Sequence, residues 1–482
     1  MSVEDRRMIQ NLVQELAKIV GSDFVTDDYW VRRSYSMDSS MFELLDAKSP
    51  AIVVRPGSIE ELQEIVRLAN KTKTPIYVRG GGTACAGTRG TRMHESILID
   101  TTRMDKIVEI DEESLTVTAE AGVTWGRLNA ELEKRGWRLG VKGPYSGYAA
   151  CVGGSVAYNA VAYASTRYGL IAEEVISLKV VLPNGDILVT GTATNPNAKR
   201  YYRYANGPDL TGLFIGSLGT LGIIAEVTLR MYPKADYSAY GAYTFKDYES
   251  AHACYYNWLK HWVAEDVAWY FEDGVSVMTP ELYEQGYVSL LTYVVEDVTD
   301  DLVNARKKLL DSIALKYGGI PQSPEYARQG WIYRYELLPR WAGKIGMWQW
   351  TCHLQSAGGT LRALKTILGY IKSRKEEMEK KNVYTATVSV AERNCGHIST
   401  SVYYDQGNPE SVELAVGMAR EIARIGMESG GATYKPGELW YPHTILKNPV
   451  YREALIRIKK ALDPNNIMNP GALSLPDKWE EV

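Results

Sequence analysis

No apolar run in the 482 residues approaches the roughly 20 that a membrane-spanning helix needs, so nothing in the chain reads as a transmembrane segment. Basic charge is in short supply as well. Lys and Arg number 54 against 58 Asp and Glu, the net charge is -4, and the cations are spread along the chain, which gives no field for nucleic acid. The five cysteines, Cys85, Cys151, Cys254, Cys352 and Cys395, are odd in number, far apart and without a Cys-x-x-Cys pair. They build neither an iron-sulfur site nor a disulfide frame, and they read as small buried packing residues. The start, Met1 to Arg7, is charged and runs into an amphipathic pattern at Met8, Leu12, Leu16 and Ile19, unlike a secretory leader. Together these absences predict a cytoplasmic protein that meets a membrane only through a partner.

What is present is a core-forming composition, 45% apolar, on a chain long enough for two or three domains. Its most distinctive stretch is Arg79-Gly80-Gly81-Gly82-Thr83-Ala84-Cys85-Ala86-Gly87, directly after the strand-like Pro75 to Val78. Three successive glycines let the backbone take positive φ and turn its N-H groups toward a common point, a nest suited to pyrophosphate. The ending lacks the Gly-Lys-Ser/Thr of a P-loop, and contiguous glycines do not have Rossmann spacing. Two further glycine stretches, at Gly153-Gly154-Ser155 and from Gly216 to Gly222, also lie beside strands, and three such loops can line one extended ligand.

Between Ala51 and Tyr232 short apolar strands alternate with helices, and Asn184-Gly185 marks a hairpin turn between two strands. Ser114 to Glu120 alternates with period two. Thr124 is the expected N-cap of a helix over Trp125 to Arg135. After Pro233 the composition turns toward Tyr and Trp in a second strand-helix series. Strands are expected at 240–245, 287–295, 352–355, 384–391 and 397–405, helices at 248–260, 301–317, 360–380 and 409–429, and a last helix at 451–462.

The blocks Val54 to Ser58, Arg79 to Gly87, Val117 to Gly122, Cys151 to Asn159, Asp209 to Gly222 and Leu462 to Gly471 occur in the order found in the vanillyl-alcohol oxidase, or PCMH-type, FAD-binding superfamily, which the chain resembles. The resemblance implies an α+β fold. A PCMH-type FAD-binding domain of two α+β subdomains would occupy 1–234 and an antiparallel α+β cap 235–429, with 430–482 packing back on the FAD domain. It implies FAD, with its pyrophosphate on Arg79, Gly80, Gly81, Gly82, Thr83, Ala84, Cys85 and Gly87. The isoalloxazine would lie near Pro144, Ser146, Cys151, Gly153, Gly154 and Asn159, with Ile223 and Ile224 against the adenine half. Histidine-linked relatives have a histidine after the three glycines, where this chain has Thr83, so non-covalent FAD is expected.

On the substrate side, Trp331 to Glu336 resembles the arginine-bearing cap segment of 2-hydroxy-acid dehydrogenases, which makes Arg334 the carboxylate-binding candidate, with Arg340 or Lys344 as substitutes. His397 matches the first histidine of the metal motif in D-lactate dehydrogenase and glycolate oxidase relatives. Tyr404 replaces the second histidine and the later Glu-His pair is absent, so no metal is expected. His397 and His353 are the candidate proton acceptors, and Lys435 and Glu438 lie near a glycine turn. The leading expectation is a dehydrogenase of a small 2-hydroxy acid that passes hydride to flavin and electrons to an iron-sulfur subunit, an electron-transfer flavoprotein or a quinone-linked complex. The alternative is a para-substituted phenol or aryl-alcohol oxidase, with a pocket drawn from Tyr333, Tyr335, Trp341, Trp348, Trp350, Tyr403, Tyr404 and Tyr434. A third reading is a flavin-binding electron-transfer subunit of a larger complex, and a homo-oligomer stays open.

Overall fold

Ser58 begins the first helix that shapes the site. Its side chain accepts from the Glu61 amide at 3.2 Å, Glu60 and Glu61 sit at the positive end of the dipole, and Lys73 closes the helix in the left-handed region at φ 55°. Between these caps Ile59–Thr72 buries Leu62, Ile65, Val66 and Ala69, one stripe of the 3.6-residue period. The computed structural model describes residues 3–36, 38–41, 48–85, 92–336, 347–434, 437 and 439–481. Gly87, Arg340, Trp341, Lys344, Lys435 and Glu438 fall outside them.

Three sheets organise the described residues. The first contains β1 (Val25–Thr26), β2 (Ile52–Val54), β3 (Ile76–Arg79) and β4 (Ile97–Asp100) in the order β1-β2-β4-β3. The β2/β4 and β3/β4 pairs are parallel. Their near-continuous apolar runs suit strands covered on both faces. The second sheet is antiparallel: β5 (Ile107–Asp111), β6 (Thr116–Glu120), β10 (Ile223–Pro233), β8 (Val175–Val181) and β9 (Ile187–Val189) in that order, with β7 (Trp137–Leu139) also on β10. The alternation read in β6 is real, yet all five of its residues are buried. Val117 and Ala119 enter an apolar core, whereas Thr118 Oγ1 meets Thr228 Oγ1 at 2.9 Å and Glu120 accepts from the Lys106 amide at 2.8 Å.

The third sheet is antiparallel with the order β14-β11-β13-β12-β16-β17-β15, formed by β11 (Tyr237–Phe245), β12 (Asp266–Phe271), β13 (Ser289–Asp297), β14 (Ile320–Pro321), β15 (Met347–Ser356), β16 (Tyr384–Glu392) and β17 (Cys395–Tyr404). Helices Tyr248–His261, Asp300–Lys316, Thr360–Ser373 and Pro409–Glu428 pack on it around Trp258, Trp269, Leu364, Ile398 and Met418. Two sequence expectations change here. Strand β12, in the middle of the sheet, was not foreseen. The helix expected over 360–380 is interrupted at Arg374, with φ -102° and ψ 1°, and restarts as Lys375–Lys380, which buries Met378.

The chain returns to the first sheet at its end. Helix Pro449–Leu462 carries the fully buried Lys459, whose ammonium is 2.5 Å from the buried Asp463 carboxylate and donates to the Met468 carbonyl at 2.8 Å. Asp463 also accepts from the Ile467 and Met468 amides. This folded turn aligns Ile467 to Asn469 beside β3, through Ile76 N to Ile467 O at 2.6 Å and Asn469 N to Ile76 O at 2.8 Å. No helix among the described residues is long and apolar enough to cross a membrane.

Candidate active site

The glycines after β3 differ in what they require. A Cβ on Gly81 would lie 1.8 Å from the Ala149 carbonyl oxygen, and Gly82 has φ +65°, so both are fixed by the backbone. Gly153 is pressed on Ala121, where a Cβ would come within 2.5 Å of the Ala121 Cβ. Gly154 is the opposite case: a Cβ there meets nothing within 4 Å, and the residue is exposed between buried neighbours on helix Val152–Tyr158. Its bare backbone opens into a cavity of about 570 Å³.

That cavity brings together Arg79 to Cys85, Pro144, Ser146, Cys151, Gly153, Gly154, Ile223 and Ile224, from loops that are far apart in the chain. Asn159 does not line it. It ends helix Val152–Tyr158 in the left-handed conformation, at φ 48°, and its side-chain oxygen accepts from the Ala172 amide at 3.1 Å. Ser146 Oγ donates to Thr83 Oγ1 at 3.0 Å, joining the glycine loop to the second wall. Burial pushes the Cys151 thiol up to about 11, which keeps it protonated at neutral pH. The turn after Asp463 delivers Asn469, Pro470 and Ala472 to the same cavity, and Tyr77 on β3 and Tyr35 at the end of helix Tyr29–Ser34 line it too.

Strand β15 supplies a wall from the third sheet. Its buried Gln349 donates to the Cys85 carbonyl at 3.0 Å and accepts from the Met41 amide at 2.9 Å, which anchors the end of the glycine loop. Trp348 and Trp350 on the same strand line the cavity with Tyr145, Tyr148 and Tyr335. Tyr145 meets Trp350 edge-on at 5.8 Å and Tyr163 at 4.7 Å. Tyr335 lies against Gly147, where a Cβ would come within 2.3 Å of its ring, and its hydroxyl donates to the Lys142 carbonyl. Burial holds the Tyr145 phenol well above its ordinary value and pushes Tyr335 up to about 12, so both remain neutral donors. Tyr145 and Tyr148 lie inside the stretch around Pro144 and Ser146, yet no spacing rule marks them. Their importance comes from a strand 200 residues later.

Neither substrate-side candidate lines the cavity. Arg334 donates to the Trp331 carbonyl at 2.7 Å and spreads its guanidinium over the Trp331 and Tyr335 rings, 5.3 Å from each centroid. His397 is fully buried on β17 behind Trp350, ring centroids 5.7 Å apart, with the Tyr434 hydroxyl 3.1 Å from Nε2. His353 does not line the cavity either; it is packed on Gly426, and burial lowers it to about 4. Of the aromatic residues expected in a pocket, Tyr335, Trp348 and Trp350 reach it, Tyr333 is exposed and Tyr403 and Tyr404 are buried outside it. Among the described residues the cations lining the cavity are Arg79, turned onto the Tyr35 ring and carbonyl, and Arg92, paired with Asp477 at 3.2 Å.

Residues 50–191 match the family described as FAD binding domain, and residues 444–473 match that described as FAD linked oxidases, C-terminal domain. The mitochondrial D-lactate dehydrogenase [cytochrome] of Arabidopsis thaliana is 27% identical over 98% of this chain and 82% of its own. The chain is an FAD-linked oxidoreductase. The glycolate oxidase subunit GlcD of Bacillus subtilis is 23% identical to this oxidoreductase, covering 98% of each chain. Its fold is shared with a substrate-bound p-cresol methylhydroxylase, at TM-score 0.82 and 21% identity over 99% of this chain and 98% of the other. The cavity fits the cofactor that the family match brings: Gly153 and Gly154 of helix Val152–Tyr158 line it without side chains, with open space at Gly154, and Gly80 to Gly82 keep the loop after β3 bare.

Proposed function

We propose that this FAD-linked oxidoreductase oxidises an aromatic substrate, a para-substituted phenol or aryl alcohol, and delivers the electrons to a redox protein partner. The observation that carries this reading is the aromatic wall of Tyr145, Tyr148, Tyr335, Trp348 and Trp350, while the described cations that line the cavity, Arg79 and Arg92, are engaged with Tyr35 and Asp477. When bound, FAD supplies the two-electron chemistry as hydride acceptor. The chain's part is to hold FAD on the Arg79 to Cys85 loop and Gly154, and to hold the substrate. Indole and phenol rings enclose an aromatic ring with stacking and edge contacts, and the neutral Tyr145 hydroxyl donates to a substrate oxygen.

A small 2-hydroxy acid is the second reading, favoured by the full-length similarity to the D-lactate dehydrogenase of Arabidopsis thaliana. It needs a cation for the carboxylate; Arg334, held on Trp331 and Tyr335, does not itself line the cavity, and Arg79 and Arg92, which do, are engaged with Tyr35 and Asp477. Titration of the FAD-loaded protein with a non-oxidised phenol such as 4-hydroxybenzoate, read as a shift of the flavin absorption band, tests the aromatic wall. A saturable shift that weakens in Trp348→Ala is expected. A shift produced by oxalate or D-lactate and none by the phenol would replace the proposal with the second reading.

A further inference from the structure

A second cavity, of about 340 Å³, adjoins the first and shares Arg92 and Tyr441 with it. It lies between the start of helix Pro449–Leu462 and the segment Gly471 to Asp477. Its lining carries two guanidinium groups, Arg92 and Arg452, and one carboxylate, Asp477. Arg92 donates to the Gly471 carbonyl at 3.0 Å and pairs with Asp477 at 3.2 Å. Arg452 is tethered through Nε to the Ser474 carbonyl at 3.0 Å and, among the described residues, has no carboxylate partner. Tethering at Nε fixes the plane of the guanidinium and leaves its Nη groups as donors, the fork that suits a phosphoryl group. The remaining lining, Pro442, Leu446, Leu475 and Pro476, is apolar. The volume exceeds what one phosphate group fills.

We propose that this cavity binds the phosphoryl group of a small phosphate-bearing ligand between Arg92 and Arg452, separately from FAD. Arg452 does not line the flavin cavity, so it can be altered without touching the cofactor. The test is calorimetric titration of the FAD-loaded protein, in phosphate-free buffer, with inorganic phosphate and with adenosine monophosphate. Binding at one site is expected, weakened about tenfold in Arg452→Gln at unchanged flavin content, as for loss of one charge-assisted pair. Binding of both probes, or of phosphate alone, identifies the free ion as sufficient; binding of the nucleotide alone identifies a phosphate ester held also by the apolar wall. If Arg452→Gln loses its flavin, Arg452→Lys takes its place and is expected to bind more weakly than the parent protein, because it keeps the charge and loses the fork. The proposal is overturned by absence of binding for both probes, by binding that neither Arg452 variant weakens, or by binding that appears only after FAD is removed, which would make the cavity part of the flavin site.

Discussion

A methyl group at position 81 would lie 1.8 Å from a carbonyl oxygen, whereas one at position 154 would touch nothing within 4 Å. The two glycines therefore fail differently. Gly81→Ala must displace the Ala149 backbone and is expected to destabilise the protein with or without flavin. Gly154→Leu should leave the flavin-free protein as stable as before, or more so by ~0.5–1 kcal/mol from helix propensity, while its FAD content falls sharply. Thermal denaturation of the FAD-free form and the flavin-to-protein absorbance ratio check both halves. A Gly154→Leu protein that retains stoichiometric FAD would remove the flavin from this cavity. On the substrate side, an aromatic contact of ~0.5–1.5 kcal/mol makes Trp348→Ala raise the apparent substrate constant about two- to tenfold. Arg334→Ala should change that constant by less than about twofold and lower stability instead, since its guanidinium covers Trp331 and Tyr335. Steady-state kinetics on the two variants separates ring packing from a carboxylate grip.

At the scale of elements, β12 joins the third sheet to the loop after helix Val152–Tyr158. Its Asp266 accepts from the Ala164 amide at 3.1 Å, and burial raises its carboxyl to about 6. Because the folded value lies above the unfolded one, the native state holds the proton longer, and stability falls as pH rises from about 4 to 6. Asp266→Asn, which keeps the acceptor oxygen, should raise the melting temperature at pH 8, with the gain shrinking as pH approaches 5. Urea or thermal melts at the two pH values check this, and a gain that grows toward acid would contradict it. The opposite arrangement holds Lys459 and Asp463 fully buried as a pair, so Asp463→Ala leaves an uncompensated ammonium at an expected cost of about 3–5 kcal/mol, measurable by denaturant unfolding.

The same elements explain what the sequence could and could not reveal. Ser58, Thr124 and the Asn184-Gly185 turn act locally, and each is found doing what its residue type predicts: two N-caps and a turn with Gly185 at φ +85°. Residues of the three glycine stretches read from the sequence line one cavity, and close contacts demand glycine at Gly81, Gly153 and Gly222 though not at Gly154. Strand β12 was not, since Val267 to Phe271 is a short apolar run between two neighbours, without the period that marks a half-buried strand. The aromatic wall was only partly legible. A tyrosine beside Pro144 and a tryptophan at 350 become one surface through the register of β15 on β17, which nothing local encodes. Arg334 was singled out by its neighbours in sequence, and the same neighbours, Trp331 and Tyr335, are what hold it.

For the whole molecule, the cavity joins all three sheets and the returning C-terminal segment, so the site exists only when these parts are assembled. Thr83, hydrogen-bonded by Ser146 at the position where histidine-linked relatives attach their flavin, predicts that acid precipitation releases yellow FAD into the supernatant; colour retained in the pellet would show a covalent bond. The aromatic-substrate account is tested most directly by anaerobic absorption spectra of the FAD-loaded protein mixed with 4-ethylphenol or 4-hydroxybenzyl alcohol, and separately with D-lactate or glycolate. Bleaching of the flavin band by an aromatic compound, with the hydroxy acids inert, is the predicted result. Bleaching by D-lactate or glycolate alone would contradict it.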